Sequence, residues 1–177
     1  MKNIKIWMLV FLFLIQWSAS AQFNWARIGV DGLTCSACTR SVEMSIRKLS
    51  FVDSVSMNLE HTDGKILFKK GAKVEIDKIA KAVNDAGFSL RSLYAGITVD
   101  QLKLGNDLCW VYENNNYHFV KIATDSELKG LVTLRFIDEK FMSKKEFKIW
   151  KMYCTGNCNS SSPQTAPYLK SYYVSLL

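Results

Sequence analysis

Between Trp25 and Leu93 the chain passes through six apolar periodicities in one order, and that order restricts the possible folds more than any other feature of the sequence. Residues 25–30 suit a β-strand, and Asp31-Gly32 turns the chain away from it. Val42, Ile46 and Leu49 are spaced four and three apart, which gives a helix over about 39–49 one apolar face. Val52, Val55, Met57 and Leu59 make a β-type run. His61-Thr62-Asp63-Gly64 then reads as a hairpin turn through its Asp-Gly pair, and residues 65–69 return as a strand with Ile66 and Phe68 on one side. Ile76, Ile79, Ala80 and Val83 stripe a second helix over about 75–86, with Gly87 in the position of a C-terminal glycine. Phe88, Leu90 and Leu93 supply a fourth strand. Strand, helix, strand, strand, helix, strand closes as a split βαβ unit, so the expected class is α+β: a ferredoxin-like βαββαβ sandwich with two helices on one face of an antiparallel sheet.

Into the first strand-to-helix connection the chain inserts Gly32-Leu33-Thr34-Cys35-Ser36-Ala37-Cys38. The spacing puts two thiols at the mouth of a helix, whose positive end favours thiolate. Two thiolates bind a soft ion such as Cu(I) almost linearly with no further ligand, whereas structural Zn(II) sites want four. The same spacing also fits thiol–disulfide exchange. A thioredoxin-type enzyme is disfavoured by the order of elements and by the prolines: only Pro163 and Pro167 are present, and neither suits the cis-proline such an active site faces.

Over about 70 residues the order and spacing resemble the heavy-metal-associated domain of copper chaperones, P-type metal ATPases and periplasmic mercury-binding proteins. The resemblance rests on Gly32 to Cys38, Val42, Ile46 and Leu49, the Val55, Met57 and Leu59 strand, and Asp85-Ala86-Gly87-Phe88. It implies metal ligation by Cys35 and Cys38, with Cu(I) as the expected ion and Hg(II), Ag(I) or Zn(II) as alternatives. It also implies a metal-exchanging partner such as a transporter or another metalloprotein. Leu33 stands where the family usually has Met; that side chain packs beneath the loop, so Leu is expected to preserve the site. Phe88 resembles the aromatic beside the metal loop of the ATPase domains. Thr34 and Thr39 are candidates to bond the loop backbone.

Beyond Leu93 the resemblance ends. Residues 108–112 and 117–122 flank Glu113-Asn114-Asn115-Asn116, read as a polar hairpin loop. Residues 131–137 are apolar on both faces and suit a central strand, while Ser143-Lys144-Lys145-Glu146 is a capping box that starts a short helix over about 143–151. A Ser/Asn/Thr-rich loop over 155–167 and a last strand over 168–177 complete the chain. The expected organisation is a leader at 1–21, the heavy-metal-associated domain at 22–94, and a small β-rich domain, a barrel or sandwich, at 95–177. Trp110, Tyr112, Tyr117, Phe119, Trp150 and Tyr153 are expected to build the second core.

Lys2 and Lys5, an apolar run over 6–15 and Ala19-Ser20-Ala21 have the form of a secretory leader. The run is about ten residues, against the roughly 20 that a spanning helix needs, so an exported monomer without a membrane span after cleavage is expected. Export makes oxidation of thiols the default. With Cys35 and Cys38 held for chemistry, Cys109, Cys154 and Cys158 remain, and one disulfide plus one thiol is the simplest division. Cys154 with Cys158, either of them with Cys109, or a second copper site with Met142 or Met152 all stay open. His61 and His118 are assigned to surface and packing. The net charge of +7 comes from scattered Lys and Arg, which excludes a nucleic-acid-binding tract. No nucleophile–base pair, phosphate-cradling loop or carboxylate pair nominates a catalytic residue. A docking role for the second half, with the first half sensing metal, is the reading from a different class.

Overall fold

The computed structural model describes residues 21–104, 108–123, 126–155, 158 and 169–177. The expected leader, apart from Ala21, and most of the loop at 155–167 lie outside the described residues.

The first six elements are β1 (Gln22–Asp31), α1 (Ser36–Arg47), β2 (Val52–Asn58), β3 (Asp63–Phe68), α2 (Ile76–Asp85) and β4 (Ser89–Lys103). They pair in the order β2-β3-β1-β4, all antiparallel. Helix α1 buries Val42 and Ile46, and α2 buries Ile76, Ile79, Ala80, Ala82 and Val83, into one core with Ala26, Ile28 and Val30 of β1. This is the ferredoxin-like arrangement expected from the order of periodicities. Helix α2 ends where Gly87, at φ +89°, takes the left-handed conformation. The Phe88 amide donates to Val83 O at 3.2 Å and the Gly87 amide to Asn84 O at 2.9 Å, so both orphan carbonyls are satisfied by a Schellman turn.

The second half departs from expectation. The boundary proposed at 94/95 falls inside β4, which pairs with β1 along 89–98 and with β7 (Glu127–Ile137) along 94–103. The strands β5 (Cys109–Tyr112), β6 (Asn115–Phe119), β7 and β8 (Lys170–Leu176) extend the same sheet to β2-β3-β1-β4-β7-β8-β6-β5 instead of closing a barrel or sandwich. The physical cause is visible in β4, where Leu93, Ala95, Ile97 and Val99 alternate into the core without interruption. In a lone βαββαβ unit β4 would be an open edge; here β7 covers it. One continuous core follows. Phe23 of β1 meets Tyr112, Tyr117 and Phe136 at 5.8, 6.2 and 6.5 Å between ring centroids, pairs that each add about 0.5–1.5 kcal/mol beyond area burial. Trp110, Tyr112, Tyr117 and Phe119 therefore join the first core, while Trp150 packs with Phe147 and Tyr173 on a small separate cluster of Val120, Ile137 and Met142.

Two turns also differ. The β2–β3 turn occupies 59–62, with Thr62 at φ +49°. Asp63 and Gly64 belong to β3: the Asp63 carboxylate accepts from Arg27 at 2.7 Å, and Gly64 lies under the Met57 side chain, where a Cβ would collide with its sulfur. The β5–β6 turn is Glu113-Asn114 alone, both left-handed at φ +47° and +61°, the two-residue form that suits the strand twist. Half of the capping box forms: Ser143 Oγ accepts the Glu146 amide at 3.3 Å and starts α3 (Lys144–Trp150), which a 3-10 turn (Lys151–Tyr153) follows, while the Glu146 carboxylate pairs with Arg135 and the Ser143 amide donates to Arg91 O at 3.2 Å.

Candidate metal centre

Residues 32–38 leave β1 at its C-terminal end and enter α1. Gly32 is left-handed at φ +87°, and the Cβ it lacks would lie 3.6 Å from the Phe88 ring, so Phe88 does stand beside the loop. Leu33 is 5% exposed and packs into the core beneath the loop, as its position implies. Cys35 is the N-cap of α1, in extended conformation (φ −149°, ψ 161°), and its sulfur accepts the Cys38 amide at 3.2 Å. The helix closes immediately behind it, with the Thr39 amide donating to Cys35 O at 3.1 Å and Thr39 Oγ1 to Ser36 O at 2.8 Å.

The pair is accessible from one side and anchored from the other. Cys35 is exposed, while Cys38 is half-buried and packs on the core. The two are joined as a disulfide, with Cα atoms 5.2 Å apart. Ser36 and Ala37 add no bulk between them, and the first turn of α1 carries no acidic residue to oppose a thiolate. Arg91 braces the neighbouring chain: it pairs with Asp31 at 3.3 Å, donates to Thr62 Oγ1 at 2.9 Å and reaches His61 O at 3.3 Å. The Val30 amide donates to Thr62 O at 2.9 Å, so the strand end from which the loop springs is held to the β2–β3 turn.

An open cleft of about 640 Å³ lies on the face of the sheet opposite α1 and α2, lined in part by Trp25, Arg27, His61, Arg91 and Tyr94. It does not include either cysteine of the loop. Among the described residues no helix is long and apolar enough to cross a membrane.

At the far edge of the sheet, Cys109 and Cys158 form a disulfide and Cys154 remains a thiol, the division into one bridge and one thiol expected for these three. Cys154 Sγ lies 3.5 Å from Trp150 O, and burial pushes its pKa up. Met142 is buried in the small cluster and Met152 is exposed. His118, read from the sequence as packing, stands opposite Cys109 across β5 and β6, with a ring nitrogen within 4.8 Å of both Cys109 and Cys158 sulfurs. Hairpin register was the signal that could have found it: a two-residue turn at 113–114 pairs Cys109 with His118, while a four-residue loop at 113–116 would have put Val120 there.

The model of the heavy-metal-associated domain matches residues 27–89. Similar curated proteins include copper-transporting ATPase 1 of Rhizobium meliloti, 36% identical over 67 residues, which cover 38% of this chain and 8% of the ATPase. The periplasmic component of the mercuric transport protein of Serratia marcescens is 36% identical over 61 residues, covering 34% of this chain and 66% of that protein. The copper chaperone CopZ of Bacillus subtilis is 34% identical over 61 residues, covering 34% of this chain and 87% of the chaperone. The chain thus belongs to the heavy-metal-associated domain family, with the domain in its first half.

Proposed function

We propose that this protein is an exported metal carrier that takes up Cu(I), or a similar soft ion, through the thiolates of Cys35 and Cys38 and passes it to a metal-exchanging partner such as a transporter or another metalloprotein. The observation that carries this reading is the pair of sulfurs presented by an exposed loop at the start of α1, inside the segment that matches the heavy-metal-associated domain. Two thiolates satisfy a Cu(I) ion, and an open loop lets an incoming thiolate pair reach it through a three-coordinate intermediate. Such a site binds tightly and still exchanges. Metal uptake requires the Cys35–Cys38 disulfide to be opened by a dithiol reductant, which supplies two electrons and two protons, and the thiol protons leave as the ion binds. The chemistry is binding and transfer, with no turnover assigned to the protein. Export is supported by the leader-like residues 1–21.

Hg(II) capture is the second reading, favoured by the identity to periplasmic mercuric components. Competition titrations with Cu(I) and with Hg(II) of the reduced chain carrying Cys109→Ser, Cys154→Ser and Cys158→Ser, so that only the loop cysteines are present, test both. One tight equivalent of Cu(I), lost in Cys35→Ser/Cys38→Ser, supports the carrier. Retention of that equivalent in the double variant overturns the assignment.

A further inference from the structure

The two-residue hairpin turn locks Cys109 opposite His118, and Cys158 is brought to the same place from 49 residues along the chain. The two sulfurs and a His118 ring nitrogen lie within 4.8 Å of one another. Cys158 is 3% exposed, and Cys109 and His118 are half-buried, so the group is partly shielded from water. We propose that these three residues form a second, redox-gated metal site: closed while Cys109 and Cys158 are joined, and able to take a thiophilic ion of the Zn(II) type once they are reduced. This inference is independent of the role given to Cys35 and Cys38.

Ligand geometry carries the argument. Zn(II) binds thiolate at about 2.3 Å and imidazole at about 2.0–2.1 Å, which places tetrahedral donor atoms about 3.5–3.8 Å apart. The cluster needs only side-chain rotation to reach that spacing after the sulfurs separate, because β5 and β6 already hold two of the donors in register. On the other side of β6, Tyr173 of β8 pairs with His118, and their rings lie 5.3 Å apart, so the imidazole packs against the phenol ring. A mixed set of two thiolates and one imidazole suits borderline Zn(II), with a fourth position left for water, whereas the lone pair Cys35/Cys38 suits a near-linear ion.

The gating step balances. A dithiol reductant gives two electrons and two protons to the Cys109–Cys158 bond, yielding two thiols and the reductant's own disulfide. Metal uptake then releases the two thiol protons, and His118 enters as the neutral ring. The ion replaces the covalent tether between Cys158 and the edge strand.

The test uses the full chain carrying Cys35→Ser, Cys38→Ser and Cys154→Ser, with Co(II) as the probe. After reduction by a phosphine, one equivalent of Co(II) is expected to give thiolate-to-metal charge-transfer absorption and tetrahedral d–d bands, which Zn(II) then removes. The disulfide form is expected to give neither. Adding His118→Gln keeps both cysteines, so the fold is checked by circular dichroism of the oxidised protein; it is expected to weaken Co(II) binding at least about tenfold and to alter the d–d bands. Absence of the charge-transfer band in the reduced protein overturns the proposal, whether the chain stays folded or loses its dichroism and fails to regain it with Co(II). Unchanged affinity and bands in His118→Gln also overturn it. Because the first cysteine pair is absent throughout, failure here leaves the carrier reading untouched.

Discussion

Tyr172 of β8 donates its phenol to the Asp77 carboxylate of α2 at 2.9 Å, joining residues 95 positions apart. Lys140 pairs with the same carboxylate at 3.0 Å, and Lys170 pairs with it as well. The last strand is thereby tied to a helix of the heavy-metal-associated unit. Tyr172→Phe removes a hydrogen bond to a charged group and is expected to cost about 1.5 kcal/mol. Urea unfolding should remain a single transition by fluorescence and by circular dichroism. Two separated transitions would show that the halves are independent.

Burial pushes the phenols of Tyr112, Tyr117 and Tyr172 well above the usual tyrosine range, with the charge of Glu113 adding to the effect at Tyr112 and Tyr117. A raised folded-state pKa means the folded protein holds protons that the unfolded chain releases. The stability these groups contribute is fully present below about pH 10, where unfolded tyrosine titrates, and is lost as pH rises beyond it. Denaturation midpoints are expected to be insensitive to tyrosine ionisation up to that point and then to fall. Tyr117→Phe should flatten the fall, because one of the three groups no longer titrates.

The Cys109–Cys158 bridge closes a loop of 49 residues. On the chain-entropy estimate it contributes about 4 kcal/mol. Cys109→Ala/Cys158→Ala in metal-free protein should lower the unfolding free energy by up to that amount. A loss below about 1 kcal/mol would mean the bridge is not a stabilising element.

Leu33 fills the space beneath the metal loop. Leu33→Met conserves volume and should cost less than about 1.5 kcal/mol while leaving Cu(I) stoichiometry unchanged. Leu33→Ala should cost about 2–5 kcal/mol and weaken binding by loosening the loop. These outcomes are read by urea titration and by Cu(I) competition.

The N-terminal unit could be read from the sequence because its signals are local. Val42, Ile46, Ile79 and Val83 show helical spacing, Gly87 marks a helix end, and the two cysteines are three positions apart. The second half depends on contacts distant in sequence. Past residue 94 the alternation of β4 is masked in the sequence by Tyr94 and Gly96, which lie on the face opposite α1 and α2, Gly96 being covered there by the Trp25 ring. Strand β8 joins β6 in parallel across more than 50 residues, and no local pattern encodes that pairing. The Cys109–His118 contact hung on the length of one turn: reading Asn115 and Asn116 as loop, because they are polar, concealed it, although Asn116 is buried within β6.

The most direct test of the carrier assignment is an amide NMR titration of the fully reduced protein with one equivalent of Cu(I). Shifts should concentrate on residues 32–39 and on Phe88, and should reverse when a competing thiolate acceptor removes the ion. Shifts centred on Cys109, His118 and Cys158, with residues 32–39 unmoved, would contradict the assignment of Cys35 and Cys38 as the carrier site.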